Sequence, residues 1–517
     1  MTPTLRPYQQ AGVAALRVQV GAGHKRVILT CPTGGGKTVL AAYIILSALS
    51  FGQRILFIVH RLELIEQAIA QLAKWGVTDV GVIRSDDKRT NAQAPVQVAT
   101  IQTLRRRLSD PPFADMIFID ECHLAGADSY KAVLAIYLEA VVIGLTATPC
   151  RLDGKPLGVP DGVFDSMVHA ATYAELIADG FIVKPVCYGT VHVPQLDKVH
   201  TEHGDYKIDE LESVMLEADV LGDTVQEYLT RLRDRRTVIF ACTVRHSKSI
   251  VDRLLAAGVK AAHVDADTPM VDRQDISKRL DWGQLEVVSN VGIYTEGWDQ
   301  PCVKGLMIAR PTKSLVLLRQ MAGRVLRPWC DSTPPHRAWR PGDGQPMSPI
   351  IIDQGQNLER HGMPHDDIAW ALDGIAKNPR KHKPTKCIKC QAYINHYPCE
   401  ACGYAPPVSP RVVEDRSKKL VEVEFNDPRR SSFNALVEKA RLLGYKPGFA
   451  GAKYREQWGD WPPWSWGQEA KARFEVDVQW QRRLVDRANA RARFQDNERE
   501  MGQDVYDSDD DFRGFLQ

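Results

Sequence analysis

The chain has no long apolar run. Its longest, residues 39–51, holds about 13 residues and includes two serines, whereas a membrane span needs about 20. The opening Met1-Thr2-Pro3-Thr4-Leu5-Arg6 lacks the succession of charge, apolar core and small residues that marks a secretory signal. An excess of one charge is missing too. Lys+Arg number 66 and Asp+Glu 64, leaving +2 over 517 residues, so a polyanionic partner must be gripped by local patches and not by bulk charge. Disulfide-style cysteine usage is also absent. Of 11 cysteines, seven are scattered singly and four are grouped between 387 and 402, a pattern that points to a metal in a reducing compartment. A cytoplasmic protein without a membrane partner is expected. The hydrophobic share of 44% and charged share of 25% are those of a globular chain. Its length predicts roughly three or four domains.

Between residues 27 and 149, short β-branched runs alternate with longer amphipathic stretches. The runs are 27–29, 55–59, 96–99, 116–119 and 141–145, and 62–75 is one of the helix-like stretches between them. Near-continuous apolar strands separated by helices predict a parallel sheet covered on both faces, with functional loops leaving the strand C-termini. A second round begins near 181–183 and continues through 237–241, 261–264, 287–289, 305–309 and 349–352. The expected fold class is therefore α/β, with two tandem parallel-sheet domains over 1–175 and 176–375. A small cysteine-bearing module follows over 384–405. An accessory, mainly helical region is expected over 411–500, including a helix over 431–443 closed by Gly444. Residues 501–517 form an acidic tail, with five aspartates between 504 and 511, expected to be disordered.

The first apolar run ends in Cys31-Pro32-Thr33-Gly34-Gly35-Gly36-Lys37-Thr38. Gly34, Gly35 and Gly36 let the backbone turn tightly enough for its N–H groups to face a phosphate. Lys37 would reach the β- and γ-phosphates, Thr38 would ligate Mg²⁺, and the following helix adds its N-terminal dipole. Thr33 belongs to the same loop. Cys31 stands where the phosphate-loop pattern has its first glycine. The fourth run leads into Asp120-Glu121-Cys122-His123. Two adjacent acids at a buried strand end are costly unless a cation or water uses them. Asp120 would hold Mg²⁺, and Glu121 would orient or deprotonate the attacking water. Together the two segments predict binding and hydrolysis of a nucleoside triphosphate.

With these two segments, further motifs in order through nearly 350 residues make the chain resemble the superfamily 2 helicases of the DExH type. They are Leu5-Arg6-Pro7-Tyr8-Gln9, Thr146-Ala147-Thr148, Thr295-Glu296-Gly297-Trp298-Asp299 and Gln320-Met321-Ala322-Gly323-Arg324-Val325-Leu326-Arg327. Within that superfamily the chain looks most like RadD-type DNA repair helicases of bacteria and phages. The resemblance implies two RecA-like domains with ATP between them. It implies that Gln9 reads adenine and that Gly297 and Asp299 couple the ribose side of the nucleotide to the strand. Arg324 and Arg327 would reach across to the γ-phosphate, where a guanidinium fork stabilises spread negative charge. Thr146, Thr148 and Gln320 would couple hydrolysis to movement.

A motor also needs a track. His60-Arg61 and Thr100, Gln102 and Thr103 follow two of the apolar runs, and Arg245 follows another. By the same resemblance they would hold phosphates of the nucleic acid, which position a strand without reading its sequence. DNA, single-stranded or branched, is the expected partner, with repair or replication proteins beside it. RNA as the track, or ATP-gated remodelling without processive unwinding, remains open at this point. Cys387-x2-Cys390-x8-Cys399-x2-Cys402 has the spacing of a zinc ribbon. Four thiolates can close a tetrahedral Zn²⁺ site, which is structural and not catalytic. The expected cofactors are thus ATP, Mg²⁺ and Zn²⁺. Trp458, Trp461, Trp464 and Trp466 with nearby cations would suit either base stacking or a small domain core.

Overall fold

The computed structural model describes residues 4–84, 89–151, 155–190, 192–202, 204–333, 343–375, 384–406, 412–413, 421–422, 428–446 and 448–475. Residues 376–383, residues 476–500 and the acidic tail 501–517 lie outside the described residues. Two compact units divide the chain, 1–406 and 407–517, and each is described by itself.

The first unit opens with α1 (Pro7–Gly21) and then builds a parallel sheet. Its strands are β1 (Arg26–Thr30), β2 (Ile55–Val59), β3 (Val80–Val82), β4 (Val96–Thr100), β5 (Met116–Asp120), β6 (Val141–Thr146) and β7 (Ser166–His169). They lie in the order β3-β4-β2-β5-β6-β1-β7. Helices α2 (Lys37–Leu49), α3 (Glu63–Lys74), α4 (Ile101–Arg105) and α5 (Asp128–Leu134) connect them. The central strands are fully buried because helices cover both faces. Leu40 and Ile45 of α2 and Leu72 of α3 pack on Val27, Phe57 and Phe118. Leu104, Tyr130 and Leu134 pack on Ile28, Leu56 and Ile117 from the other side. Parallel register sets Thr30 beside Thr146 and Val59 beside Thr100. The loop-bearing ends of the strands therefore gather on one edge, as the alternation of runs predicts.

Helix α6 (Tyr173–Ala178) leads to the second sheet, and the expected boundary at 175/176 falls within it. The chain continues through β8 (Val186–Gly189), a hairpin β9 (Thr201–Glu202) and β10 (Asp205–Tyr206), then α7 (Ile208–Met215) and α8 (Ala218–Glu227). Strands β11 (Arg236–Ala241), β12 (Ala261–Val264), β13 (Val287–Asn290), β14 (Val303–Ala309) and β15 (Ile350–Asp353) alternate with α9 (Val244–Ala256), α10 (Met270–Asp281) and α11 (Leu315–Gly323). The sheet is again parallel, in the order β12-β13-β11-β14-β15-β8. Leu318, Met321, Val325 and Leu326 cover one face and α7 to α9 the other. The run at 181–183 forms no strand. The N–H of Val183 donates to Leu326 O at 2.8 Å, and the sheet is entered only at β8, after Pro185.

After α12 (Asn357–His361) and a hairpin of β16 (Trp370–Ala371) and β17 (Gly374–Ile375), β18 (Thr385–Lys386) and β19 (Tyr393–Ile394) frame the cysteine module. That module caps β8, the outer strand of the second sheet. Tyr188 and Ala392 share an antiparallel bridge. Arg231 donates to Cys390 O at 3.3 Å, Tyr393 donates to Glu359 at 2.9 Å, and Lys184 pairs with Glu400 at 2.6 Å. An edge strand with unpaired backbone groups is thereby covered.

The second unit contains α13 (Pro428–Leu443), α14 (Gly448–Trp458) and α15 (Trp464–Glu475). Phe433, Val437, Tyr454 and Phe474 form its core, with Trp458 and Trp466 packed against them. Arg429 and Arg430 lie over those two indoles, at 5.2 and 5.7 Å. The domain-core alternative for these two tryptophans is the one the packing favours. Gly444 ends α13 at φ +68°, a left-handed stop that glycine accepts without steric cost.

Candidate functional site

The phosphate loop is a continuation of β1. Cys31 N–H donates to Thr146 O at 3.1 Å, and Gly35 N–H donates to Pro32 O at 2.9 Å to close the turn. Gly34 and Gly36 hold φ +89° and +85°, conformations that favour glycine. At Gly35 the reason is space: a Cβ there would lie 2.4 Å from the Cys31 sulfur. The sulfur therefore fills the room behind the loop, and burial pushes its thiol up to about 12, so it adds no charge. Lys37 begins α2. The Gln9 amide bridges the loop to its own helix start, accepting from Arg6 N–H at 3.0 Å and donating to Gly35 O at 3.2 Å. Tyr8 donates to the same carbonyl at 2.7 Å. In this conformation the Gln9 amide braces the phosphate loop.

The two acids sit two strands away, at the end of β5. Glu121 adopts φ +49°, a conformation that costs energy for a side chain other than glycine and clusters at functional sites. The bend carries its carboxylate to 3.9 Å from Lys37 Nζ. Its other oxygen lies 3.3 Å from His123 Nδ1 and accepts from Thr146 Oγ1 at 3.5 Å. Thr146 Oγ1 also accepts from Thr148 N–H at 3.1 Å. Of the expected coupling residues, Thr146 is thus tied directly to Glu121, and Thr148 is tied to it through Thr146. Burial, and then the charge of Glu121, push the Asp120 carboxyl up. Burial also acts to raise Glu121, but Lys37, the His123 hydrogen bond and Arg324 outweigh it and hold that carboxyl down. Two buried acids side by side are therefore split in proton affinity. Cation binding at Asp120 would relieve the harder of the two.

The second sheet completes the cleft. A Cβ on Gly323 would fall 2.3 Å from Thr33 Cγ2, and one on Gly34 would fall 3.7 Å from Arg327 Cγ. A Cβ on Gly297, which holds φ +68°, would fall 2.5 Å from Leu64 Cδ2 and 3.0 Å from Gln67 Oε1 of α3. Arg327 pairs with Asp299. Arg324, buried, donates to the carbonyls of Trp298 at 2.6 Å and Thr295 at 2.7 Å. The two arginines expected at the γ-phosphate therefore differ here. Arg327 lies against the phosphate loop, while Arg324 braces the 295–299 loop within its own domain.

The candidate track residues also divide. Thr100 caps α4, accepting from Thr103 N–H at 3.3 Å and sharing a 2.9 Å hydroxyl contact with Thr103. Gln102 and Arg245 are exposed, and Arg245 lies 3.6 Å from Glu212. His60 and Arg61 instead meet Glu296 of the second domain, at 2.5 and 3.8 Å. Gln320 donates to Glu296 at 3.0 Å. Glu296 and His123 carry contacts that sequence reasoning did not assign, although both lie inside the motifs quoted for other residues. Removing either partner of the His60–Glu296 contact should lower turnover. The double change His60→Ala/Glu296→Ala should fall short of the product of the single losses, by about 0.5–3 kcal/mol of coupling. Steady-state ATPase rates of the four proteins measure this, and strictly multiplicative losses would remove the contact from the mechanism.

The four thiols of the ribbon lie within 4.8 Å of one another. The Cys387–Cys402 and Cys390–Cys399 sulfur separations are 3.8 and 3.7 Å. A Zn–S bond near 2.3 Å requires sulfur edges of about 3.8 Å in a tetrahedron, so the donor set fits zinc. Each C-x-x-C pair forms the same turn. Gln391 N–H donates to Cys387 O and Gly403 N–H to Cys399 O, and both donors have positive φ.

Two family descriptions match the two sheets. Residues 2–151 match the type III restriction enzyme res subunit, and residues 221–328 match the helicase conserved C-terminal domain. The chain is 29% identical over 422 residues to a 51.5 kDa protein of a Lactococcus phage, covering 80% of this chain and 85% of that protein. It is 31% identical over 353 residues to the putative ATP-dependent helicase IRC3 of Saccharomyces cerevisiae, covering 63% of this chain. The chain spans about half the length of that yeast relative, 50%. Its fold is shared with a putative HsdR subunit fragment of a type I restriction enzyme from Vibrio vulnificus. There the TM-score is 0.51 and the identity 21%, over 72% of this chain and 71% of the fragment. These matches support a superfamily 2 helicase, an enzyme class that hydrolyses ATP and remodels nucleic acid. Among the described residues, no helix is long and apolar enough to cross a membrane.

Proposed function

We propose that this chain is an ATP-driven DNA translocase or helicase of the RadD-like kind, serving DNA repair, recombination or replication in the cytoplasm. The observation that carries the reading is the packing of Gly323 and Arg327 against Thr33 and Gly34, which makes the ATP site a two-domain structure. Thr33 to Thr38 hold the phosphates, Thr38 and Asp120 take Mg²⁺, and Glu121 orients and activates the water. Magnesium supplies charge neutralisation on the phosphate oxygens when bound. Arg327, released from Asp299, meets the transferring phosphoryl group from the other side. Asp299 and Gly297 then change position with it, and Glu296 carries that change to His60, Arg61 and Gln320. Hydrolysis thereby alters the same strand ends that offer Thr100, Gln102, Thr103 and Arg245 to the track. The restriction-enzyme family of the first domain favours DNA over RNA as that track.

The test compares ATPase stimulation by single-stranded DNA, forked DNA and RNA of matched length. Stimulation by DNA well above RNA is expected. Equal or greater stimulation by RNA would overturn the DNA assignment, and turnover indifferent to both would overturn the motor. Strand displacement on the fork separates unwinding from translocation alone.

A further inference from the structure

The segment that ends the second domain's α11 carries Arg324 and Arg327, and it is not continued as helix beyond Gly323. Helix ends leave backbone carbonyls without intrahelical donors, and in a buried setting each needs a partner. Three consecutive carbonyls here receive one from outside the segment. Leu326 O accepts from Val183 N–H at 2.8 Å. Val325 O accepts from Lys304 Nζ at 2.9 Å, and Arg327 O accepts from the same nitrogen. Lys304 is the second residue of β14, a strand buried along its whole length, and its own exposure is 0%. Among the described residues it has no carboxylate partner.

A lysine in a strand core is costly to desolvate and is retained only where its donors are used. Leucine or methionine would fill this volume without that cost, and Leu306 and Ile308 on the same strand face do so. What an apolar side chain cannot do is hold two carbonyls that flank Leu326 in sequence. An ammonium has three N–H donors on one nitrogen, so a single group can tie both ends of a two-residue step. A cation at a helix C-terminus also opposes the negative end of its dipole.

We infer that Lys304 is a positioning residue for ATP hydrolysis: by clamping the carbonyls of Val325 and Arg327, it fixes the backbone from which Arg327 reaches the phosphate loop. Burial lowers its ammonium to about 7, but the neutral amine keeps two N–H groups and so keeps both bonds. The clamp acts on the arginine and not on the nucleotide. Lys37 and the glycine loop, which bind ATP, belong to the other domain. Loss of the clamp should therefore lower kcat while leaving KM for ATP nearly unchanged.

This inference rests on the two-domain ATPase reading, and the experiment separates the two. ATPase kinetics at saturating single-stranded DNA are measured for the full chain, for Lys304→Met, for Arg327→Ala and for the double variant. Lys304→Met should lose about tenfold or more in kcat, with KM for ATP within about twofold of the parent. Added to Arg327→Ala it should cost little further, because groups acting as one unit are not additive. A rise in KM with kcat intact, or losses that multiply in the double variant, would overturn the role of Lys304. Parent-like turnover in Arg327→Ala would instead overturn the two-domain reading. Should Lys304→Met fail to fold, Lys304→Gln, which keeps an amide donor, takes its place in the same cycle with a smaller kcat loss expected.

Discussion

Replacing Glu121 with glutamine is expected to lower nucleic-acid-stimulated ATP turnover by about 10²–10⁴-fold, with ATP still bound. Glutamine preserves the size of the side chain, and its amide can still meet Thr146 and His123, so the bent backbone at φ +49° has the same contacts to support it. What is removed is the negative charge and the basicity. Burial would favour a protonated carboxyl there, but Lys37, His123 and Arg324 hold Glu121 ionised. The ionised form is the one able to accept a proton from water or orient it. Lys37→Ala should be as damaging through the opposite route. It takes away the cation expected on the β- and γ-phosphates and also the neighbour, 3.9 Å distant, that helps keep Glu121 charged. Nucleotide-binding titrations distinguish the two, since Lys37→Ala should weaken ATP affinity and Glu121→Gln should not. Undiminished turnover in either variant would remove the proposed site.

Metal analysis of the full chain should find about one zinc per molecule, and its removal should unfold the ribbon. Structural zinc supplies roughly 10–16 kcal/mol to modules of this kind, more than a cluster as small as Ala392, Ile394 and the cysteines can provide by burial alone. Cys399→Ser, or a strong chelator, should therefore expose residues 384–406 to protease and strip the cover from β8. The ATP site lies in other elements, so nucleotide binding should persist. Zinc content well below one per chain, measured without chelators in the purification, would reject the assignment. So would a Cys399→Ser protein that retains both its metal and its protease resistance.

The central strands were legible from sequence because both faces are covered, which forces near-continuous apolar runs such as Ile55–Val59. Of the outer ones only β12 was, as the run 261–264. Strands β3, β7 and β8 all lie at sheet edges, where only one strand of the sheet pairs with them and mixed sequences such as Ser166-Met167-Val168-His169 are tolerated. The phosphate loop and the acid pair were legible for a different reason: phosphate and cation chemistry restricts residue type over a few consecutive positions. Glu296 was not, since its importance comes from meeting His60, which lies far away in sequence. Lys304 was hidden in the same manner, as a charged residue inside an otherwise apolar strand.

The bridge from Ala392 to Tyr188, with the ties of Arg231, Tyr393 and Lys184, fastens the cysteine ribbon to the second domain at four points. It is carried on the outer strand β8 as part of the second sheet's edge. Any motion of that sheet relative to the first would carry the ribbon with it. A polymer touching both the first domain and the ribbon would then be pulled between them by that motion.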